Sequence, residues 1–157
     1  MDLLKKMEEF GVPEFGNKKI LGFHEEQFIE QLLPYCTEHY WSNNESINVF
    51  NVVGTALPDY IGLTWNEFIQ VGKRMKLNLS LLQTNPQYYL DKESKKPPMY
   101  YVEIDGKLYV DGDGNHRTAL ARFFHTFNGS NPTLHGVIVK KYKIDYVLKE
   151  FVTIQHP

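Results

Sequence analysis

The sequence predicts an α+β domain in which a small mixed sheet packs against helices. The runs MYYVEI and KLYVD flank Asp105-Gly106, a dipeptide typical of a tight hairpin turn. The next segment, HRTALARFFHTF, repeats apolar residues at helical spacing and precedes Asn128-Gly129, a helix stop. The run TLHGVIVKKYKI is rich in β-branched residues and predicts a further strand.

Length and composition favour one folded, soluble domain. The chain has 157 residues, of which 42% are hydrophobic and 14% aromatic, which excludes a disordered protein. Its net charge of -2 gives no overall attraction to nucleic acid, so such binding would need a local patch. Cys36 is the only cysteine, which excludes a disulfide framework and a cysteine-based zinc site. No long apolar run occurs near the N-terminus, so we expect a cytoplasmic protein with no membrane partner.

The early part of the chain predicts one helix, a loop and a buried segment. Residues 25–41 carry apolar positions close to helical period, and Pro34 should kink or split that helix. The polar run SNNES, residues 42–46, is typical of a loop. Residues 47–57, INVFNVVGTAL, are apolar and β-branched, which indicates a buried strand or another part of the core.

Two further helices are predicted from their first residues. Thr64 is followed three residues later by Glu67, the pattern of a capping box, so a helix should begin there. Near the end of the chain, DYVLKEFVTI predicts a short final helix that starts at Asp145.

A polar segment divides the chain in this interpretation. Residues 85–98, NPQYYLDKESKKPP, are charged and punctuated by proline, which is typical of a surface loop or linker. We therefore expect residues 1–78 to form an N-terminal helical extension. Residues 79–157 would form the core domain, and both parts would belong to one compact unit.

The most informative stretch is VDGDGNHRTALARFF, where a strand ends in glycines and leads into a helix. The first N–H groups of a helix lack partners and its dipole favours an anion, so this turn predicts a phosphate site. Glycines permit close backbone approach, while arginine and histidine supply donors suited to phosphate. The predicted phosphate-binding residues are Gly112, Gly114, Asn115, His116, Arg117 and Thr118. We expect Asn115 to cap the helix, with Asp113 as the alternative cap.

A purely structural interpretation of this stretch is also open. The glycines would form an ordinary turn, Asn115 would cap the helix, and Arg117 would be a solvated residue of its first turn. An arginine at a helix N-terminus is mildly unfavourable because of the dipole, so Arg117 needs another reason to be there.

The segment PPMYYVEIDGKLYVDGDGNHRTALARF resembles the core of the ParB/sulfiredoxin-like superfamily. The resemblance covers residues 79–142, and the Gly114–Arg117 turn is its specific part. An Asn-Pro step in NPQYY is similar to one near the start of such domains. The resemblance implies that this turn binds nucleotide phosphates. Members of the family act as CTP-dependent DNA clamps, ATP-dependent reductases, nucleases or ATPases.

Two departures narrow what the resemblance implies. Sulfiredoxin carries its reactive cysteine before the His-Arg pair, where this chain has Asn115, and an amide cannot act as a thiolate. Partitioning ParB proteins carry a second phosphate motif and a helix-turn-helix domain, and too little sequence follows Arg117 for both. We therefore expect a stand-alone ParB-like domain with its own N-terminal addition.

Carboxylates beside the turn are compatible with metal-assisted catalysis. Asp111 and Asp113 are predicted to hold a divalent ion such as Mg²⁺ against a bound nucleoside triphosphate, because hard cations prefer carboxylates. His116 would then act as general base, and Glu103 on the adjacent strand is a possible addition. The alternative is that both aspartates are ordinary turn residues.

Other candidates carry weaker signals. The histidines His24, His39, His125, His135 and His156 show no metal-ligand spacing. Two basic stretches, residues 71–76 and 139–143, fit either a nucleic-acid backbone or a solvated surface. The tyrosines at 88, 89, 100 and 101 fit core or rim packing better than base stacking, and the alternative is that one of these rings covers a bound base.

The functional prediction is binding of nucleotide or nucleic-acid phosphates at the DGDGNHR turn, with nuclease or nucleoside-triphosphatase activity. The alternative is a non-catalytic regulator or inhibitor that binds a partner protein through its N-terminal helices and aromatic residues. A DNA-binding module without turnover is a third possibility, and the net charge counts against it. The sequence leaves the oligomeric state open.

Overall fold

The computed structural model describes residues 1–72 and 74–155 and confirms the α+β class. Within these residues the helices are α1 (Leu3–Phe10), α2 (Glu25–Gln31), α3 (Trp65–Val71), α4 (Met75–Thr84), α5 (Asn115–Asn128) and α6 (Tyr146–Gln155). The strands are β1 (Leu21–Gly22), β2 (Cys36–Asn48), β3 (Val52–Thr55), β4 (Tyr100–Ile104), β5 (Lys107–Val110) and β6 (Thr133–Ile144).

All six strands belong to one mixed sheet, in the order β1-β3-β5-β4-β6-β2. The predicted hairpin is confirmed: β4 and β5 are antiparallel, and Asp105 and Gly106 turn between them with φ of 55° and 77°. β6 then pairs parallel to β4 and antiparallel to β2, whereas β3 lies parallel to both β1 and β5. The sheet is therefore wider than the strands predicted from the sequence.

The predicted helix after the hairpin, α5, is confirmed and lies in the main core. Its fully buried side chains pack with apolar residues of the sheet, among them Tyr101, Val110 and Val139. Gly129 ends the helix in the left-handed conformation, as the sequence predicts. A smaller cluster on Phe28 of α2 includes Val102, Ile104 and Ile144 of the sheet. The packing of α5 in the main core, and not this smaller cluster, fixes the start of the helix relative to β4 and β5.

The expectation that residues 1–78 are helical is wrong, because β1, β2 and β3 all come from this part. The helix predicted over residues 25–41 ends at Gln31, and Pro34 lies in a 3₁₀ turn that breaks it as expected. Residues 42–46, predicted as a loop, lie inside β2. Pairing with β6 overrides the local polar signal, and register shifts around Ser42–Ile47 accommodate the polar residues.

Several local predictions are confirmed by their hydrogen bonds. Thr64 and Glu67 form the capping box of α3 with bonds of 3.0 and 3.1 Å. Asp145 accepts the N–H of Leu148 at the start of α6. In the segment 47–57, the first two residues end β2, a 3₁₀ turn follows at Val49–Asn51, and Val52–Thr55 is β3.

Residues 85–98, predicted to be a surface loop or linker, are partly buried in the fold. It contains a 3₁₀ turn at Pro86–Tyr89, and Tyr89 and Lys95 are both buried. The Lys95 ammonium donates to the Asp91 carboxylate at 3.0 Å and to the backbone carbonyl of Glu93. The division between residues 78 and 79 stays a prediction, although the sheet takes strands from both sides of it.

Candidate functional site

A cleft of about 370 Å³ lies between α4 and the first turn of α5, beside the predicted phosphate turn. One wall consists of apolar side chains from α4 and the 3₁₀ turn, namely Leu77, Leu81, Tyr88 and Tyr89. The opposite wall includes Asp113, Gly114, His116 and Arg117, while Lys96 and Pro97 close one side. The cleft is of the size and composition that suit a small ligand.

The backbone of the turn depends on its glycines. Gly112 and Gly114 have φ of 107° and 124°, a region that residues with a side chain rarely adopt. A Cβ at Gly114 would also lie 3.3 Å from the Met99 side chain. Gly114 is the N-cap of α5, so the expectation that Asn115 or Asp113 caps this helix is wrong. Asn115 is instead the first helical residue.

The N-terminus of α5 offers free backbone donors to the cleft. Its first helical hydrogen bond runs from the Thr118 N–H to the Gly114 carbonyl, so the N–H groups of residues 115–117 precede the helical ladder. Across the described residues, no side chain caps this end and its first turn holds no acidic residue. The nearest acidic residue in the cleft is Asp113, immediately before the N-cap, so no carboxylate within the first turn offsets the partial positive charge of the helix.

Arg117 connects two walls of the cleft. One guanidinium nitrogen donates to the Tyr88 hydroxyl at 2.8 Å and to the Pro97 carbonyl at 2.6 Å. These contacts explain why an arginine occupies a helix start that the dipole disfavours. The same nitrogen makes both bonds, and a guanidinium has three further N–H donors beyond the two on that nitrogen.

His116 faces the start of α4. Its Nε2 accepts the backbone N–H of Arg74 at 3.2 Å, and its ring lies 5.1 Å from Phe68 and 5.6 Å from Tyr60 between centroids. Burial, and secondarily the charge of Arg74, lowers the pKa of the imidazole. The Nε2 lone pair is thus already occupied in this conformation, and catalysis or phosphate binding by His116 stays a prediction.

Thr118 points away from the cleft. The side chain is fully buried, and its hydroxyl shares a hydrogen bond of 2.7 Å with the Tyr101 hydroxyl. Burial raises the pKa of the Tyr101 phenol well above its usual range. The phosphate contact predicted for Thr118 therefore has no support from this geometry, and the residue anchors α5 to β4.

Of the carboxylates predicted to bind a metal ion, the fold places only one in the cleft. Asp113 lines the cleft and Asp111 does not, although both carboxylates are exposed. Glu103 lies at the other end of β4, opposite Lys141 in the register. Within the described residues, no three acidic, histidine or cysteine side chains are grouped to hold a metal ion. An Mg²⁺ ion at Asp113 would thus need oxygens from the ligand.

Sequence reasoning missed most of the cleft. Arg74 and Lys96 both line it, whereas the sequence places the first only in a basic stretch and the second only in a linker. Each residue is visible in the sequence as a single cation. Their position beside α5 cannot be predicted, because Arg74 and residues 96–97 come close to this helix only in the folded chain. Lys73 of the same basic stretch, and His156, lie outside the described residues.

The other sequence candidates lie outside the cleft. In the second basic stretch, the Lys140 ammonium lies 5.3 Å from the centre of the Trp41 ring, and Lys141 pairs with Glu45 at 3.1 Å. His125 is buried and bonds the Ser130 hydroxyl at 2.7 Å, so it is a core residue. Of the four tyrosines, only Tyr88 and Tyr89 line the cleft.

Comparisons with protein-family models, with curated proteins and with solved structures give no match to this chain. The resemblance to the ParB/sulfiredoxin-like superfamily therefore stays a prediction that rests on the residues of the turn. Among the described residues, no helix is long and apolar enough to cross a membrane.

Proposed function

We propose that the protein binds a nucleotide in the cleft between α4 and α5. The observation that carries this proposal is the meeting of three cationic side chains and an apolar wall in one cavity. Arg74, Lys96 and Arg117 are the cations on its lining, and Asp113 is its one acidic side chain within the described residues. The cleft thus attracts anions, although the chain as a whole has a net charge of -2.

The cationic and the apolar lining of the cleft suit the two parts of a nucleotide. Phosphates would lie at the start of α5, where backbone N–H groups and the three cations supply charge-assisted hydrogen bonds. The base would pack on Leu77, Leu81 and the Tyr88 ring. Leu77 and Leu81 are 63% and 54% exposed without a ligand, so a base would remove apolar surface from water.

Hydrolysis of the bound nucleotide stays an expectation from the resemblance. Where Mg²⁺ accompanies the phosphates, Asp113 is the carboxylate of the cleft that would hold it. The ion would neutralise phosphate charge and polarise a phosphoryl oxygen. Binding is therefore the first property to measure.

The test is thermal unfolding with ATP, CTP or GTP, each with and without Mg²⁺. A ligand that binds only the folded state at about 100 times its Kd adds about 2.7 kcal/mol to the apparent stability. Arg74→Ala and Lys96→Ala should weaken this effect. Lys143→Ala is the matched control, because Lys143 is an exposed cation on β6 outside the cleft.

The proposal fails if no nucleotide stabilises the wild-type protein in either condition. It also fails if the cleft variants and the Lys143→Ala control respond to nucleotide alike, because binding would then occur elsewhere.

A further inference from the structure

The loop between α3 and α4 carries Arg74 and is attached to α5 through His116. The Arg74 backbone N–H donates to the imidazole Nε2 at 3.2 Å. A backbone N–H can only donate, so Nε2 must be the unprotonated acceptor and the ring proton lies on Nδ1. His116 therefore makes this contact only as a neutral imidazole.

The imidazole ring fits closely against this loop. A Cβ at Gly72 would lie 3.1 Å from the ring carbon Cδ2 and 3.2 Å from Nε2, so a larger residue there would press on the ring. The ring also contacts Phe68 of α3 and Tyr60 of the preceding 3₁₀ turn. These contacts hold the acceptor nitrogen in place beneath the loop.

The bond also serves the start of α4. Arg74 is the N-cap of this helix, and within the described residues no side chain caps it. Without Nε2 the Arg74 N–H would lose its partner at a helix start that already has unpaired donors. The loop would then lose the restraint that fixes the Arg74 backbone at the edge of the cleft.

We propose that His116 is a positioning residue that acts on the ligand through Arg74. The neutral imidazole fixes the Arg74 backbone, and the guanidinium of Arg74 then reaches the phosphates from a defined point. The proposal rests on the proposed function, because that function makes Arg74 a ligand-binding side chain. It differs from a direct role for His116 as phosphate ligand or general base.

The two roles predict opposite effects of protonation. A protonated His116 would attract phosphate if it touched the ligand, whereas it would lose its bond to Arg74 if it positions the loop. Among the described residues, the titratable or charged residues that contact the ring are Tyr60 and Arg74, and Arg117 and Asp113 line the same cleft as His116. The ring's burial and the charge of Arg74 favour its neutral form and lower its pKa.

A double-mutant cycle separates these roles. Arg74→Ala should weaken binding of the best nucleotide by about tenfold or more, as expected for lost hydrogen bonds to a charged group. His116→Phe keeps a ring against Phe68 but removes the acceptor, and it should also weaken binding. The double variant should bind no more weakly than Arg74→Ala alone, because both changes remove one effect. Losses that multiply would show that His116 has its own contact and would overturn the proposal.

His116→Gln provides the conservative variant and remains informative if His116→Phe fails to fold. The glutamine amide oxygen reaches about as far as Nε2 and does not titrate, so it should restore much of the affinity. As the pH falls from 7.5 to 5.5, wild-type affinity should decrease relative to His116→Gln at each pH. An increase relative to that variant would support direct phosphate binding by protonated His116 and contradict the positioning role.

Amide hydrogen exchange of the free protein gives a readout that needs no nucleotide. The Arg74 N–H should be protected in the wild type and in His116→Gln, and should exchange faster in His116→Phe. If no nucleotide binds the wild-type protein, the proposed function and this inference both fail. If nucleotide binds but the two substitutions act independently, only this inference fails.

Discussion

Arg117 and Tyr88 are joined by a hydrogen bond of 2.8 Å, although 29 residues separate them in the sequence. The bond links the first turn of α5 to the 3₁₀ turn after α4, so it holds the two walls of the cleft together. The same guanidinium nitrogen also binds the Pro97 carbonyl. Arg117 thus supports the shape of the cleft as well as its charge.

Substitutions at Tyr88 separate the hydroxyl from the ring. Tyr88→Phe removes one hydrogen bond and should lower the free energy of unfolding by about 1 kcal/mol, with little change in nucleotide affinity. Tyr88→Ala also removes the apolar wall and should weaken nucleotide binding much more. Chemical denaturation and calorimetric titration measure the two quantities. Equal affinities of the two variants would show that the ring does not contact the base.

Gly114→Ala should disturb both the fold and the cleft. The substitution places a Cβ at φ 124° and 3.3 Å from Met99, so it should destabilise the protein by more than about 1 kcal/mol. Gly129→Ala at the end of α5 is the matched control, because it has φ 65° and no atom within 4 Å of the added Cβ. The expected result in urea unfolding is a larger loss for Gly114→Ala. A larger loss for Gly129→Ala would contradict the role of the tight turn.

Tyr101 and Thr118 should behave as one buried pair. Thr118→Val leaves the phenol without its partner and should lower the free energy of unfolding by about 1–3 kcal/mol. Combining it with Tyr101→Phe removes both hydroxyls and should recover much of that loss. A denaturation cycle of the four proteins gives the coupling energy. Strictly additive losses would show that the two hydroxyls do not interact.

Stability should fall as the pH drops from 7.5 towards 5.5. Burial lowers the pKa values of His116 and His125, so the unfolded chain, with a histidine pKa of about 6.5, binds protons first. Both histidines therefore stabilise the fold fully above that value, and their contribution is lost as the pH falls towards the folded pKa values. Urea unfolding across this range measures the slope, and His116→Gln should reduce it. An unchanged slope in that variant would show that His116 does not contribute.

The elements predicted correctly from the sequence have signals within a few residues. Asp105-Gly106 specifies the hairpin turn, and Thr64 with Glu67 specifies the start of α3. β2 lacks such a signal, because it is an edge strand with mostly exposed polar residues and shows no apolar alternation. Its structure depends on β6, which no local pattern reveals.

The candidate site could likewise be predicted only where its residues are neighbours in the sequence. The turn around Gly114 was found because glycines and charged residues follow one another along the chain. Arg74, Lys96 and Tyr88 were missed as a group, because three separate segments bring them to α5. The His116 interaction was missed as well, since its partner is a backbone N–H that sequence cannot single out.

The placement of β2 bears on how the chain assembles during synthesis. Thr37 and Lys143 share a hydrogen bond across 106 residues, so β2 leaves the ribosome long before β6 exists to pair with it. β3 likewise precedes its partner β5. Contacts this distant close late and slow the folding of the whole domain. Nascent chains that stop before residue 133 should therefore expose an unpaired β2 and depend on chaperones to stay free of aggregates.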